Sequence, residues 1–311
     1  MKSVSDYLAR SDYSSSLEKV TGENPSALTV SRVFYSKLVS RCYHLVRISS
    51  GPSRNLLEAY LERFLLEDMK RILRAKHAGG AIETSSLIVI PKGYDHHIDL
   101  KAISEASTLQ DAIDLLKNTR FKGVTRLMPI YQKYGLISLI EAFIDKIYYD
   151  SEVIMSIGGV PDKSTIKDMI AIEVDLTVIK TLTDLKGRGV AAEAVRSIGF
   201  RPMKLKADEL ELMLEGNSDS IPEILSRTRY ADLSQPIRDA LDAGKEESLD
   251  HVIRTEIHRR NKSLMIRYAD TLAYVLGYVR EAEAEANNLV SIVTGKELGL
   301  PESKIEAALS M

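Results

Sequence analysis

Apolar residues recur along this chain three or four positions apart, the spacing that lines one face of a helix. Val33, Leu38, Val39, Tyr43 and Val46 form one such series, which Ser49-Ser50-Gly51-Pro52 interrupts. From Leu56 a broader stripe of Leu57, Tyr60, Leu61, Phe64, Leu65, Met69, Ile72 and Leu73 predicts a helix to about Lys76, with Ser53 as its cap and Gly79-Gly80 as its stop. At 1.5 Å of rise per residue that helix is about 30 Å long, enough to span a small domain. Farther on, Ser107-Thr108-Leu109-Gln110 has capping-box spacing, and Leu136 to Ile147 predicts an amphipathic helix. The turn Gly158-Gly159-Val160-Pro161 leads into a second long helix that ends at Lys186. A third lies within a proline-free run from 237 to 300, where Leu264, Met265, Tyr268, Leu272, Val275, Tyr278 and Val279 keep the spacing. Ser220-Ile221-Pro222-Glu223 and Ser303-Lys304-Ile305-Glu306 look like further helix entries. Ser85 to Pro91 is the one strand-like run, and a lone strand has nothing to pair with, so it reads as an extended connection.

Two short patterns repeat in order. Aligning Ile72, Leu182 and Ile292 also aligns Met69, Ile179 and Leu289, then Lys76, Lys186 and Lys296, then Gly79, Gly189 and Gly299, each set stepping by 110 residues. Lysine followed by glycine ends many helices, so this pattern alone says little. A second one travels with it: Leu8-x-x-Ser11-x-Tyr13, Leu116-x-x-Thr119-x-Phe121 and Leu225-x-x-Thr228-x-Tyr230. The hydroxyl residue precedes the lysine by 65, 67 and 68 positions in the three copies. The chain therefore reads as three units, 1–103, 104–213 and 214–311, each with a short helix bearing the motif, middle helices and a long closing helix. The fold class is all-α, three related bundles, for which a closed or funnel-like arrangement is as acceptable as a solenoid.

Composition narrows the functional classes. A chain of 311 residues with 44% hydrophobic and 28% charged positions can bury ordinary cores. A net charge of -2 gives no bulk argument for nucleic acid or an anionic membrane surface. The single cysteine, Cys42, sits in an apolar helical pattern and reads as core packing in a reducing compartment. The N-terminus has no apolar secretory core, and no uncharged run reaches the roughly twenty residues of a membrane span. The expectation is a cytoplasmic protein, peripheral to the cell membrane and associated with it only through partners.

No catalytic or cofactor-binding constellation emerges. Gly158 to Ser164 imitates a phosphate loop, but Asp162 stands where the second glycine belongs and no strand leads in. Gly187-Arg188-Gly189 follows a helix, which removes the dinucleotide reading. Asp95-His96-His97 with Asp99 reads as a solvated loop before a metal site. His251 and His258 share a helical face and read as packing, and Glu281, Glu283 and Glu285 read as a solvated face. Arg120 and Arg229 recur inside the repeated motif, with Asp12 in their place in the first unit. They read first as helix-end electrostatics and second as bidentate contact with partner carboxylates.

The order of these motifs, the long helix from Glu173 to Lys186 and the C-terminal stretch from Asn287 to Leu300 resemble one family over nearly the whole chain. It is the family of the C subunit of archaeal A-type and bacterial V-type ATP synthases, whose counterpart in the eukaryotic vacuolar proton pump is the d subunit. The resemblance implies a funnel of three similar bundles in pseudo-threefold arrangement, without catalytic activity. Such a protein seats the central stalk, made of the D and F subunits, in its hollow, rests on the membrane rotor ring of proteolipid subunits and turns with them. ATP synthesis or hydrolysis in the soluble head is thereby coupled to proton or sodium transport. Lys76, Lys186, Lys296, Arg120 and Arg229 are the candidate partner contacts, with no metal or cofactor. Lys70 and Arg74 stand where the third unit has Val290 and Thr294, a departure from strict repetition. The competing reading is a generic helical scaffold that binds partner helices.

Overall fold

The computed structural model describes residues 8, 11–18, 25–82, 87–88, 98–244 and 246–309, and every regular element among the described residues is helical. Six helices set the architecture: α1 (Ala27–Ile48), α2 (Gly51–His77), α3 (Ser138–Tyr148), α4 (Lys163–Gly187), α5 (Glu246–Arg267) and α6 (Leu272–Glu297). The long closing helices of the three sequence units are α2, α4 and α6. The helix α1 packs against α2 and α6, α5 against α6 and α4, and α3 against α4 and α2, so the six close into a ring. Shorter helices, such as Leu109–Leu115, Ala207–Glu215 and Ser234–Asp242, complete the chain.

Local chemistry sets the helix entries. Ser26 accepts the Thr29 N–H at 3.3 Å to start α1, and Thr271 accepts the Ala273 N–H at 3.2 Å to start α6. The helix α2 begins at Gly51, five residues ahead of Leu56, with Pro52 in its first turn. A proline there gives up no hydrogen bond, so Ser53 lies inside the helix and does not cap it. The capping box of the second unit is Thr108 with Asp111, one residue beyond the Ser107 and Gln110 spacing, because the Asp111 carboxylate reaches the Thr108 N–H at 3.1 Å. The imitation phosphate loop is the turn into α4, with Asp162 in the left-handed region at φ 52°.

The helix ends repeat more closely than the starts. Gly79, Gly189 and Gly299 take φ of +73°, +73° and +66°. The next N–H in each case returns to the carbonyl five residues back, Gly80 to Ala75, Val190 to Leu185 and Leu300 to Gly295, at 2.8, 3.0 and 2.8 Å. This is the Schellman closure, and it explains the glycine of the repeat, since a side chain there would be strained.

Packing follows the aligned stripe. Met69, Ile72 and Leu73 on α2 and Ile179 and Leu182 on α4 are fully buried, whereas Leu289 and Ile292 on α6 are half-buried. Cys42 is buried in α1, and burial pushes its thiol up to about 12. Of the strand-like stretch only Leu87 and Ile88 are described, both buried, with the Ile88 N–H donating to Asp68 at 2.6 Å. Asp95, His96 and His97 lie outside the described residues, and Asp99 caps the helix Leu100–Glu105 through the Ala102 N–H at 2.9 Å.

Candidate functional site

The three Leu-x-x-[Ser/Thr]-x-aromatic motifs fold alike. Ser11, Thr119 and Thr228 each donate a hydroxyl to the leucine carbonyl three residues back, at 2.7, 2.8 and 2.9 Å. Each hydroxyl also accepts the N–H of the aromatic two residues on, at 3.2, 3.1 and 3.0 Å. A side chain that satisfies both groups ends one helical turn, redirects the chain and turns the aromatic inward. Tyr13, Phe121 and Tyr230 are at most 1% exposed. The motif thus sits at a helix end, not along a helix.

Each motif clasps a long helix far from it in sequence. The Tyr13 hydroxyl donates to Glu285 on α6 at 3.1 Å, and that of Tyr230 to Asp175 on α4 at 2.7 Å. Beside Phe121, Arg120 pairs with Glu62 on α2. Positions 175 and 285 are one repeat step apart, and one step earlier stands Leu65. The aromatic of that unit is Phe121, which has no hydroxyl to satisfy.

Helices α2, α4 and α6 turn the same register toward one hollow of about 750 Å³. Positions 63, 67, 70 and 74 of α2 line it, as do 173, 177 and 180 of α4 and 283, 287, 290 and 294 of α6. Offsets of four, seven and eleven residues keep side chains on one helical face. The floor of the hollow is an ion network on Glu173, which is 2% exposed. Its carboxylate accepts from Tyr60 at 3.2 Å and Tyr149 at 2.8 Å, and pairs with Arg63 at 3.1 Å and with Arg280. Arg63 and Arg280 also reach Glu283, at 3.2 and 3.3 Å, and the Arg280 guanidinium lies 4.8 Å over the Tyr60 ring. Tyr149 reaches Glu173 from a single π-helical turn, Tyr149–Val153, that follows α3. Burial opposes charge on Arg63, and Glu283 with its neighbours more than offsets this, so the guanidinium stays protonated. Above the floor Lys70 holds Glu67 and Asp145 at 2.6 and 2.8 Å, and Lys180 holds Asp250 at 2.5 Å.

The residues singled out in the sequence fall in different places. Lys76, Lys186 and Lys296 occupy the last turns of the three long helices. Lys186 donates to the Leu214 carbonyl at 2.7 Å, Lys76 is half-buried and Lys296 is exposed. Arg120 is engaged inside the protein, by Glu62 and by Glu152 at 2.6 Å, and stacks 4.9 Å over Phe121. Arg229 is exposed and lies 5.7 Å over Tyr230. Of Glu281, Glu283 and Glu285, read as a solvated face, Glu285 is exposed, yet each of the three meets a partner on a neighbouring helix. Glu281 meets His258 at 3.4 Å, Glu283 closes the floor network and Glu285 receives Tyr13 and, at 3.0 Å, Arg41. Among the described residues no cluster of His, Cys, Asp or Glu has the form of a metal site, and no helix is long and apolar enough to cross a membrane.

Comparison with known proteins bears on the same whole chain. Residues 1–308 match the family described as ATP synthase (C/AC39) subunit. The C subunit of the A-type ATP synthase of Methanosarcina acetivorans is 25% identical, over 98% of this chain and 84% of its own length. Those of Methanocaldococcus jannaschii and Methanothermobacter thermautotrophicus are 24% and 22% identical, over 97% and 90% of this chain and 77% and 74% of their own lengths. With the match spanning the first motif, all three long helices and the last Schellman turn, the chain belongs to the ATP synthase (C/AC39) subunit family.

Proposed function

We propose that this protein is the rotor connector of an A-type ATP synthase. Its units, 1–103, 104–213 and 214–311, are three related bundles about a pseudo-threefold axis, and their common hollow seats the D and F subunits of the central stalk. The opposite face rests on the proteolipid ring, and the protein passes torque between the two without an active site of its own. ATP synthesis or hydrolysis is thereby coupled to proton or sodium transport. The observation that carries this reading is the closed ring of six helices, locked by clasps that each reach into another unit, around one hollow. A part under torque needs many small cross-links distributed around a circuit, because a load applied at any one helix is then shared by the others.

Two further features support the assignment of faces. The hollow extends from its floor toward the C-terminal ends of the long helices, where Lys76, Lys186 and Lys296 mark the rim for partner contact. At the other end the helices that lead into α2, α4 and α6 expose Ile48, Met155 and Ile266 near their last residues, at 68%, 73% and 65%. Apolar tips recurring once per unit suit a partner that is itself a ring of apolar hairpins. The experiment is capture of the tagged protein from detergent-solubilised membranes of its host. Recovery of both stalk proteins and ring proteolipids is expected, and recovery of neither overturns the reading.

A further inference from the structure

We infer that the hollow is a receptor for an acidic protein tip, so that the segment seated in it meets the wall with carboxylates. This rests on the seating proposed above. Among the described residues, six acidic side chains line the hollow, and each is already engaged by the protein itself. Five are held in the lysine and arginine pairs of the floor and lower wall, and Glu297 accepts the Ala27 N–H at 2.8 Å. The cations are not matched in the same way. Arg32 on α1 gives its Nε–H to the neutral Leu87 carbonyl at 3.1 Å, and Arg254 on α5 makes no ion pair among the described residues. Both line the hollow, from the two helices that flank α6.

Two uncompensated guanidiniums in a concave wall focus a positive potential into the space between them. Arginine carries its donors in a planar fork that fits carboxylate oxygens bidentately. A basic tip would be repelled, and an apolar one would dehydrate both guanidiniums without giving them a partner. A carboxylate-bearing tip resolves both conditions.

The test measures binding of the purified central stalk, the D and F subunits together, to the full chain by calorimetry across a salt series. The expected Kd rises steeply with salt, and combining Arg32→Glu with Arg254→Glu raises it about tenfold or more at unchanged Tm. Combining Lys101→Glu with Lys117→Glu, on the outer surface, leaves it unaltered. Should Arg32→Glu disturb folding through its contact with Leu87, Arg254→Gln breaks no ion pair and is expected to weaken binding about threefold by itself. Binding that ignores salt and every one of these arginine substitutions overturns the charge inference and leaves the seating intact. No binding by the unaltered chain overturns the seating and the inference together.

Discussion

Glu173 of α4 and Arg280 of α6 form an ion pair at the floor of the hollow, with side chains only 3% and 7% exposed. The pair joins the second and third long helices, and Arg63 and Tyr60 bring in the first. Such a network gains little over a well-packed apolar substitute, but it is costly to break from one side. Glu173→Ala leaves Arg63 and Arg280 to share Glu283 and strips two buried tyrosine hydroxyls of their acceptor, and is expected to cost about 3–5 kcal/mol. Combining Glu173→Leu with Arg280→Met is expected to recover most of that loss. Urea denaturation of the three proteins measures both values, and a mild effect of Glu173→Ala would mean that the floor is not shared among the helices.

A second buried acid locks a chain crossing, not a hollow. Asp175 is fully buried and accepts the backbone N–H groups of Met203, Lys204 and Leu205 at 2.6, 2.9 and 2.8 Å, besides the Tyr230 hydroxyl. Tyr230→Phe removes one donor of four and is expected to cost about 1 kcal/mol. Asp175→Ala strands three backbone donors and the hydroxyl at once, for a loss of about 3 kcal/mol or more. Hydrogen exchange at 203–205 checks the assignment, because only the Asp175 substitution is expected to release protection there.

The all-helical fold and the repeat were legible because both live in local spacing. Apolar stripes announce α2 and α4, and lysine before glycine announces the Schellman ends of all three long helices, where glycine takes the positive φ of Gly79, Gly189 and Gly299 without the strain of a side chain. The hydroxyl motif was visible too, but not its role, since clasping another unit is a contact between residues such as Tyr13 and Glu285, 272 positions apart. The roles of Glu283 and Glu285 were hidden for the same reason. Acids alternating with alanines look solvated until a neighbouring helix supplies Arg63 or Arg41. One signal was available. Arg63, Glu173 and Glu283 share one register position on three largely apolar helices, and a charge kept at that position implies a partner.

The first clasp is expected to be the acid-sensitive one. The hydrogen bond from Arg41 to Asp12, at 2.7 Å, holds that carboxyl below the usual carboxylate range, against a smaller opposing push from burial. The folded state therefore releases the Asp12 proton at lower pH than the unfolded state does. Its contribution is complete above about pH 4 and is lost as pH falls through the folded value. Because Asp12 is half exposed, the effect is small, and it is read by comparing Tm against pH for the native protein and Asp12→Asn. At the alkaline end burial raises Tyr13 and Tyr230, so both keep protons that the unfolded chain gives up above about pH 10, and stability falls as pH rises beyond that point. A substitution that leaves the acid limb unchanged would show that Asp12 does not hold the clasp.

The second clasp offers a way to test whether the three are truly equivalent. Tyrosine meets an acid at positions 13 and 285 and at 230 and 175, whereas Phe121 and Leu65 hold the same places without polar atoms, both fully buried. Phe121→Tyr by itself buries a hydroxyl without an acceptor, and Leu65→Glu buries a carboxylate without a donor, so each is expected to destabilise by about 1–3 kcal/mol or more. If the clasps are copies of one geometry, the double variant brings hydroxyl and carboxylate within reach. Its loss is then smaller than the sum of the single losses by at least about 1 kcal/mol. Equilibrium unfolding of the four proteins closes the cycle. Additive losses would place Phe121 away from position 65 and reduce the shared register of the clasps to a resemblance of sequence.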